Sequence, residues 1–185
     1  TVEWIASQPW CDGAVAMMGG SYAGYTQWAA AAAEPPSLRA IVPDGIAIAC
    51  EYPMRYQGVP WLMHYRWFVD TWTFRTLINT DAWGWTDRPL VASIPDWADA
   101  GRQNLEAWTV GPSDSAYHLG RLLPAGLPTR RLRIPALHAT GWWDAFARFG
   151  LLDWELASTQ APAAAHQFLR LRAADHHYPY VPDGV

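Results

Sequence analysis

The sequence has little charge and no excess of basic residues. Lys and Arg number 13 against 17 Asp and Glu, a formal net charge of −4, and the basic residues form no stripe. Such a chain offers no surface for a phosphate backbone, so we expect no nucleic-acid partner. No apolar run approaches the roughly 18 residues that a membrane span needs, so we expect no membrane partner and a cytoplasmic location.

Cysteine is also scarce. Cys11 and Cys50 are the only two, and they lie outside any Cys-x-x-Cys pattern. They could form a disulfide, but two isolated cysteines are a weak signal for one, and we expect free thiols. A metal site of Asp175, His176 and His177 is conceivable, but nothing else supplies ligand spacing, so we expect no metal and no cofactor. The chain also lacks an initiator Met and opens inside what reads as a helix, which indicates a piece of a larger protein.

What the sequence does have is apolar bulk. It is 51% hydrophobic over 185 residues, enough for a folded domain with a sizeable core. The chain has 13 tryptophans, and many of them lie in its middle, between residues 61 and 108. They suit either the packing of short helices or the walls of a hydrophobic substrate pocket.

Two strand–helix–strand units flank a region of different character. Strands are predicted at residues 14–18, 38–43, 134–140 and 166–173, and helices at 1–9, 22–33 and 145–157. Between the units the periodicity becomes helical, with the clearest helices at 61–78 and 96–107 and no convincing strand. We therefore predict an α/β fold with a mostly parallel sheet, its core formed by residues 1–49 and 130–185, and a helical cap insertion at 50–129.

The first strand runs into Gly-Gly-Ser-Tyr-Ala-Gly and then directly into an alanine-rich helix. This is the pattern of a nucleophile elbow, a turn so tight that the residues two before and two after the serine, Gly19 and Ala23, must be small. Such a turn exposes the Ser21 hydroxyl and directs the Tyr22 backbone N–H toward an oxyanion. The alternative is a glycine-rich turn with an N-cap serine.

A serine nucleophile needs a base and an orienting acid, in the chain order Ser, acid, His. Asp144 follows the third predicted strand and His176 follows the fourth, where open α/β sheets place their sites. His177 competes with His176 for the role of base, and Asp175 is a weaker candidate for the acid. The other acidic and histidine residues fit other roles: a solvated helix face for Asp153, a surface or pocket wall for His64 and His118, and a buried, hydrogen-bonded core position for His138.

A family resemblance is visible in three strings of the sequence: WCDGAVAMMGGSYAGYTQWAAAA, LRAIVP and IPALHATGWWDAF. Together they resemble the X-Pro dipeptidyl-peptidase and cocaine esterase family (CocE/NonD hydrolases), over roughly residues 1–50 and 130–178. The middle of the chain matches only in type, as a helical cap between the same strands. The family usually carries its histidine in Gly-Pro-Trp-x-His, where this chain has Ala-Asp-His-His, so the choice between His176 and His177 stays open.

The resemblance implies an α/β-hydrolase that cleaves an acyl ester or amide of a small-molecule substrate. It implies Ser21 as nucleophile, Asp144 as acid, His176 as base and the Tyr22 N–H as one oxyanion donor. Phe146 would line the acyl pocket, and Trp142 and Trp143 are plausible walls beside it. The family's second oxyanion donor, a tyrosine of an earlier loop, and its C-terminal jelly-roll domain would both lie outside this chain.

Other functions remain compatible with the sequence. The chain could be a truncated, non-catalytic segment that pairs with a partner through an exposed sheet edge. It could also keep the triad and transfer its acyl group to an amine or alcohol instead of water. A homo-oligomer is also compatible with the sequence.

Overall fold

A computed structural model describes residues 1–48, 55–56, 59–60 and 129–176 of the chain. The chain divides into two compact units, one of Thr1–Tyr52 with His118–Val185 and one of Pro53–Tyr117. The predicted division at residues 50 and 129 stays a prediction, and the helices predicted at 61–78 and 96–107 lie outside the described residues.

The first unit contains a parallel sheet of four strands, which confirms the predicted α/β class. Its strands are β1 (Val15–Gly20), β2 (Leu38–Asp44), β5 (Ala136–Gly141) and β6 (Gln167–Arg172), in the spatial order β1-β2-β5-β6. Every neighbouring pair is parallel. In the second unit, β3 (Arg55–Tyr56) pairs antiparallel with β4 (Val59–Pro60). The prediction that the insertion has no strand was therefore wrong, because two-residue strands are too short to produce a sequence period.

Three α-helices are described: α1 (Val2–Ala6), α2 (Tyr22–Ala32) and α3 (Ala147–Gln160). Short 3-10 turns occupy Thr129–Arg131 and Ala164–His166. The helix predicted over residues 1–9 ends early, at Ala6, where Ser7 turns its hydroxyl back to the carbonyl oxygen of Trp4. Within the described residues, no helix is long and apolar enough to cross a membrane.

The core of the first unit lies between the sheet and its helices. Trp28 of α2 and Ile41 of β2 are almost fully buried at its centre. The other buried members of this cluster are Ala31, Leu38, Ile48, Leu132, Ala136 and Ala161. Since the four strands are parallel, their carboxyl ends meet at one edge of the sheet, and the segments that follow them converge there.

Candidate active site

Ser21 occupies the one-residue turn between β1 and α2. Its backbone has φ 54° and ψ −124°, a conformation that side-chain-bearing residues rarely adopt. The Ser21 N–H donates to the carbonyl oxygen of Asp44 at 2.8 Å, which ties the turn to the end of β2. A Cβ on Gly19 would stand only 2.7 Å from Cβ of Ala23, so these two positions must both be small, as an elbow requires.

The start of α2 is pressed against the segment that follows β2. A Cβ on Gly24 would approach Cγ2 of Ile46 to 2.5 Å, so only glycine fits where the two segments meet. Tyr22 is the first residue of α2, and its side chain is exposed. Its backbone N–H therefore lies beside Ser21 at the positive end of the helix dipole, where an oxyanion would be stabilised.

Asp144 lies on the turn between β5 and α3 and is 7% exposed. Its Oδ1 accepts a hydrogen bond from the Phe146 N–H at 2.8 Å, which fixes the carboxylate plane. Nδ1 of His176 lies 3.0 Å from Oδ2 and 3.2 Å from Oδ1. The carboxylate therefore holds one nitrogen of the imidazole and leaves the other directed away from it.

That second nitrogen, Nε2 of His176, lies 3.0 Å from Oγ of Ser21. The ring of Phe146 stacks on the imidazole with centroids 5.0 Å apart. Gly141 allows the chain to return here, because a Cβ on it would collide with the carbonyl oxygen of Ala174. The Trp143 N–H donates to that same oxygen at 3.1 Å, so the segment before His176 is fixed to the turn that carries Asp144.

The electrostatics favour a histidine that binds a proton more tightly than usual. The hydrogen bond with Asp144 raises the pKa of His176, and burial opposes this rise without cancelling it. The charges of Asp144, Asp175 and Asp44 act in the same direction as the hydrogen bond. The arrangement is suited to take a proton from Ser21 and hold it beside Asp144.

Of the predicted site residues, the structure brings together Ser21, Asp144, His176, the Tyr22 N–H and Phe146. Trp142 and Trp143 are 61% and 67% exposed on the turn before Asp144. Phe146 is buried and stacks on the imidazole, so it supports the ring of His176, while its predicted role in an acyl pocket stays a prediction.

The rival candidates separate by position. Asp175 is exposed, and His177, His64 and His118 lie outside the described residues. His138 is buried and bonds to Gln167 at 3.0 Å, in agreement with its expected core role, and burial lowers its pKa. No group of three metal-ligating side chains occurs among the residues that the structure describes.

One expectation was wrong. Asp153 was predicted to lie on a solvated helix face, but it is 1% exposed, and its Oδ2 accepts the Ile48 N–H at 2.6 Å. The apolar pattern of α3 is weak, so the sequence did not indicate that this face packs against the segment after β2. Cys11 is a free thiol, as expected, and Cys50 lies outside the described residues.

Sequence reasoning missed Asp44, Gly45 and Arg172. Gly45 has φ +55°, and a Cβ on it would stand 2.9 Å from Oδ2 of Asp144 and 3.4 Å from Nδ1 of His176. Asp44 and Arg172 form a buried ion pair beside the site. A polar Asp-Gly pair directly after a buried strand was the available signal for Asp44 and Gly45. The sequence carries no such signal for Arg172, because it occupies one of the polar positions of a strand in which polar and apolar residues alternate.

A family model and two curated relatives are similar to this chain, and their descriptions agree with one another. The family model described as X-Pro dipeptidyl-peptidase (S15 family) matches residues 1–178. Cocaine esterase of Rhodococcus sp. (strain MB1 Bresler) is 54% identical over 44 residues, which are 24% of this chain and 8% of that protein. A Mycobacterium bovis protein named "Putative serine esterase" is 35% identical over 107 residues, 55% of this chain and 17% of that protein.

Solved structures agree on the fold. Two crystal structures of a CocE/NonD family hydrolase from Staphylococcus aureus align with TM-scores of 0.58 and 0.61 at 21% and 22% identity. They cover 95% and 97% of this chain, but the chain covers only 27% and 28% of theirs. The chain thus corresponds to about a quarter of each solved relative.

Proposed function

Because the chain belongs to the X-Pro dipeptidyl-peptidase (S15) family, we propose that it is a serine hydrolase that cleaves an acyl ester or amide through Ser21, His176 and Asp144. The observation that carries the proposal is the unbroken hydrogen-bonded series from the Ser21 hydroxyl through His176 to Asp144, at 3.0 Å on each side of the imidazole. The strained Ser21 backbone at the head of α2 supports it independently, since strain of this kind concentrates at active sites.

In the proposed reaction, Nε2 of His176 takes the proton of the Ser21 hydroxyl as Oγ attacks the substrate carbonyl carbon. Asp144 holds the Nδ1 hydrogen, which fixes the tautomer and stabilises the imidazolium that forms. The Tyr22 N–H donates to the oxyanion of the tetrahedral intermediate. His176 then gives its proton to the leaving alcohol or amine, and an acyl group remains on Ser21.

The acyl-enzyme is resolved by the same groups in the reverse order. His176 takes a proton from water, the resulting hydroxide attacks the acyl carbon, and the proton returns to Oγ of Ser21 as the acid leaves. The exposed Trp142 and Trp143 stand on the turn that leads to Asp144 and would contact a bulky or aromatic acyl group. The esterase names among the relatives support an ester, and the family's peptidase name supports an amide.

A fluorophosphonate probe tests the proposal, because it labels only a serine activated by a base. We expect mass spectrometry to locate the label on Ser21 in the full-length protein and in the 185-residue chain. Ser21→Ala should abolish labelling and lower ester hydrolysis by about 10⁴- to 10⁶-fold. Ser7→Ala, which removes an exposed hydroxyl on the same chain, should change neither.

The outcomes separate the alternatives. Label in both proteins supports a site assembled within this chain, and label only in the full-length protein supports the same site with a need for further segments. Absence of label in both removes the serine-hydrolase proposal and favours a non-catalytic role.

A further inference from the structure

Asp44 and Arg172 form a buried ion pair that the proposed reaction does not use. Nη2 of Arg172 lies 2.5 Å from Oδ1 of Asp44, and the two side chains are only 5% and 4% exposed. Nε of Arg172 has no hydrogen-bond partner among the residues that the structure describes. Because burial of two charges costs most of what their attraction returns, such a pair is poorly explained by stability alone.

The backbone groups of the two paired residues bond to the segments that carry the site. The carbonyl oxygen of Asp44 accepts the Ser21 N–H at 2.8 Å, and that of Arg172 accepts the Trp142 N–H at 2.8 Å. Trp142 begins the turn that carries Asp144, and Arg172 begins the segment that ends at His176. The ion pair thus connects, by one contact each, the three segments that present the nucleophile, the acid and the base.

We propose that Asp44 and Arg172 are positioning residues, an ionic clamp that holds the ends of β1, β5 and β6 in the register at which Ser21, His176 and Asp144 meet; this inference rests on the proposed function. Neither side chain touches the reacting atoms. The clamp acts through the backbone carbonyls of its two residues and through the neutrality of the pair next to the imidazole.

The charges around the pair make the two halves of the clamp unequal. His176 faces Asp144, Asp175 and Asp44, while Asp44 faces Arg172, Arg170 and Asp144. Burial raises the pKa of the Asp44 carboxyl, and Arg172 opposes that rise. Without Arg172, the Asp44 carboxyl therefore takes up a proton more readily. Without Asp44, the guanidinium keeps its charge, because arginine does not deprotonate in proteins.

The test compares Asp44→Asn, Arg172→Met and the double variant in the full-length protein, by kcat/KM for ester hydrolysis across pH and by denaturant unfolding. Asp44→Asn leaves a buried cation, so we expect about a 100-fold loss of kcat/KM, the size of a small misplacement of reacting groups. The acidic limb of its kcat/KM profile, where activity falls as the pH drops, should move to lower pH, because an anion near His176 is gone. Arg172→Met should lose less kcat/KM than Asp44→Asn, and the acidic limb of its pH profile should not move to lower pH.

The double variant decides the question. Removal of both charges should restore the wild-type pH dependence and recover about tenfold of the activity lost in Asp44→Asn, because the unpaired buried cation is gone. A loss of about tenfold should remain, as in Arg172→Met, because nothing then holds the strand ends in register. Arg131→Met is the matched control, since Arg131 contacts Glu34 at 3.9 Å in an ion pair with both side chains about half exposed. It should leave kcat/KM and the pH limb unchanged.

Three results would overturn the inference. The first is wild-type kcat/KM in Asp44→Asn. The second is a loss that follows only the unfolded fraction, or a double variant with wild-type kcat/KM, either of which would show that the triad keeps its geometry without the pair. The third is a wild-type protein that is unlabelled by the probe and no faster than Ser21→Ala; it removes the proposed function itself, and it is distinguished from the other two because it requires no clamp variant.

Discussion

At the scale of single residues, Ser21, the proposed nucleophile, has a strained backbone. Its φ of 54° is tolerated by glycine and costs other residues roughly 1–3 kcal/mol. Ser21→Gly should therefore be more stable to denaturant than Ser21→Ala, by about 1 kcal/mol, although both lack the proposed nucleophile. Denaturant titration of the two variants measures this directly. Equal stabilities would show that the turn stores no strain.

Gly45 is the position where one added methyl group would reach the acid and the base together. We expect Gly45→Ala to lower kcat/KM by about 100-fold, because a Cβ there stands 2.9 Å from Oδ2 of Asp144. Gly13 is the matched control: its φ is +86°, but a Cβ on it meets nothing within 4 Å. Gly13→Ala should cost about 1–2 kcal/mol of stability and no activity. Equal activity losses in the two variants would contradict a local effect on Asp144.

The raised pKa of His176 predicts the pH dependence of the proposed reaction. Only neutral His176 accepts the Ser21 proton, so kcat/KM should fall as pH drops through a pKa above the ordinary value for histidine of about 6.5. Asp144→Asn removes the main cause of that rise, so its acidic limb should move to lower pH, with a loss in kcat of about 10⁴-fold.

The control for this pH shift is Asp175→Asn, measured in the same kcat/KM profile. Asp175 is exposed, and its charge also raises the pKa of His176, but as a smaller contribution than that of Asp144. Solvent screens it, so we expect a much smaller shift in the same direction. A larger shift in Asp175→Asn than in Asp144→Asn would reverse the assignment of the acid.

At the scale of secondary-structure elements, the β1–α2–β2 unit was the part most readable from sequence. Its apolar strand, small residues at the turn and alanine-rich helix each specify one local structure, so its boundaries came within about two residues. α1 was predicted too long because its sequence carries no strong stop signal before Pro9, whereas in the structure the helix ends at Ala6 and the Ser7 hydroxyl donates to the carbonyl oxygen of Trp4. Asp153 was misassigned because its partner, the Ile48 N–H, lies 105 residues away and leaves no local pattern.

The buried side chain of Gln27 links β1, α2 and β2. Its Nε2 donates to the carbonyl oxygens of Gly19 and Ala23 at 3.0 Å, and its Oε1 accepts the Val42 N–H at 2.9 Å. Gln27→Met keeps the volume but leaves buried backbone groups unpaired, so we expect a loss of about 2–3 kcal/mol in the free energy of unfolding. Thr26→Ala, one residue away on the exposed side of α2, should change it by less than about 0.5 kcal/mol. Similar losses in both variants would exclude a special role for Gln27.

At the scale of the whole molecule, the site depends on contacts that no local pattern encodes. Strand ends predicted Ser21, Asp144 and His176 as site residues, and the structure brings them together because parallel strands bring their carboxyl ends to one edge. The same rule does not show which polar residues at that edge pair with each other. Asp44 and Arg172 are 128 residues apart, and their pairing becomes visible only once β2, β5 and β6 are placed side by side.

This dependence predicts that the site and the sheet are lost together. Ser21 and His176 are separated by 155 residues and meet only through the strand order, so no single element can hold the triad alone. We expect labelling of Ser21 by the fluorophosphonate and amide protection of β1, β2, β5 and β6 to fall over the same range of urea. Ile41→Val changes the fully buried centre of β2 and does not touch the site. It should shift both transitions equally to lower urea, which corresponds to a loss of about 0.5–1.5 kcal/mol in the free energy of unfolding. Labelling that disappears while all four strands stay protected would mean that the segments after the strands, and not the sheet, limit the assembly of the site.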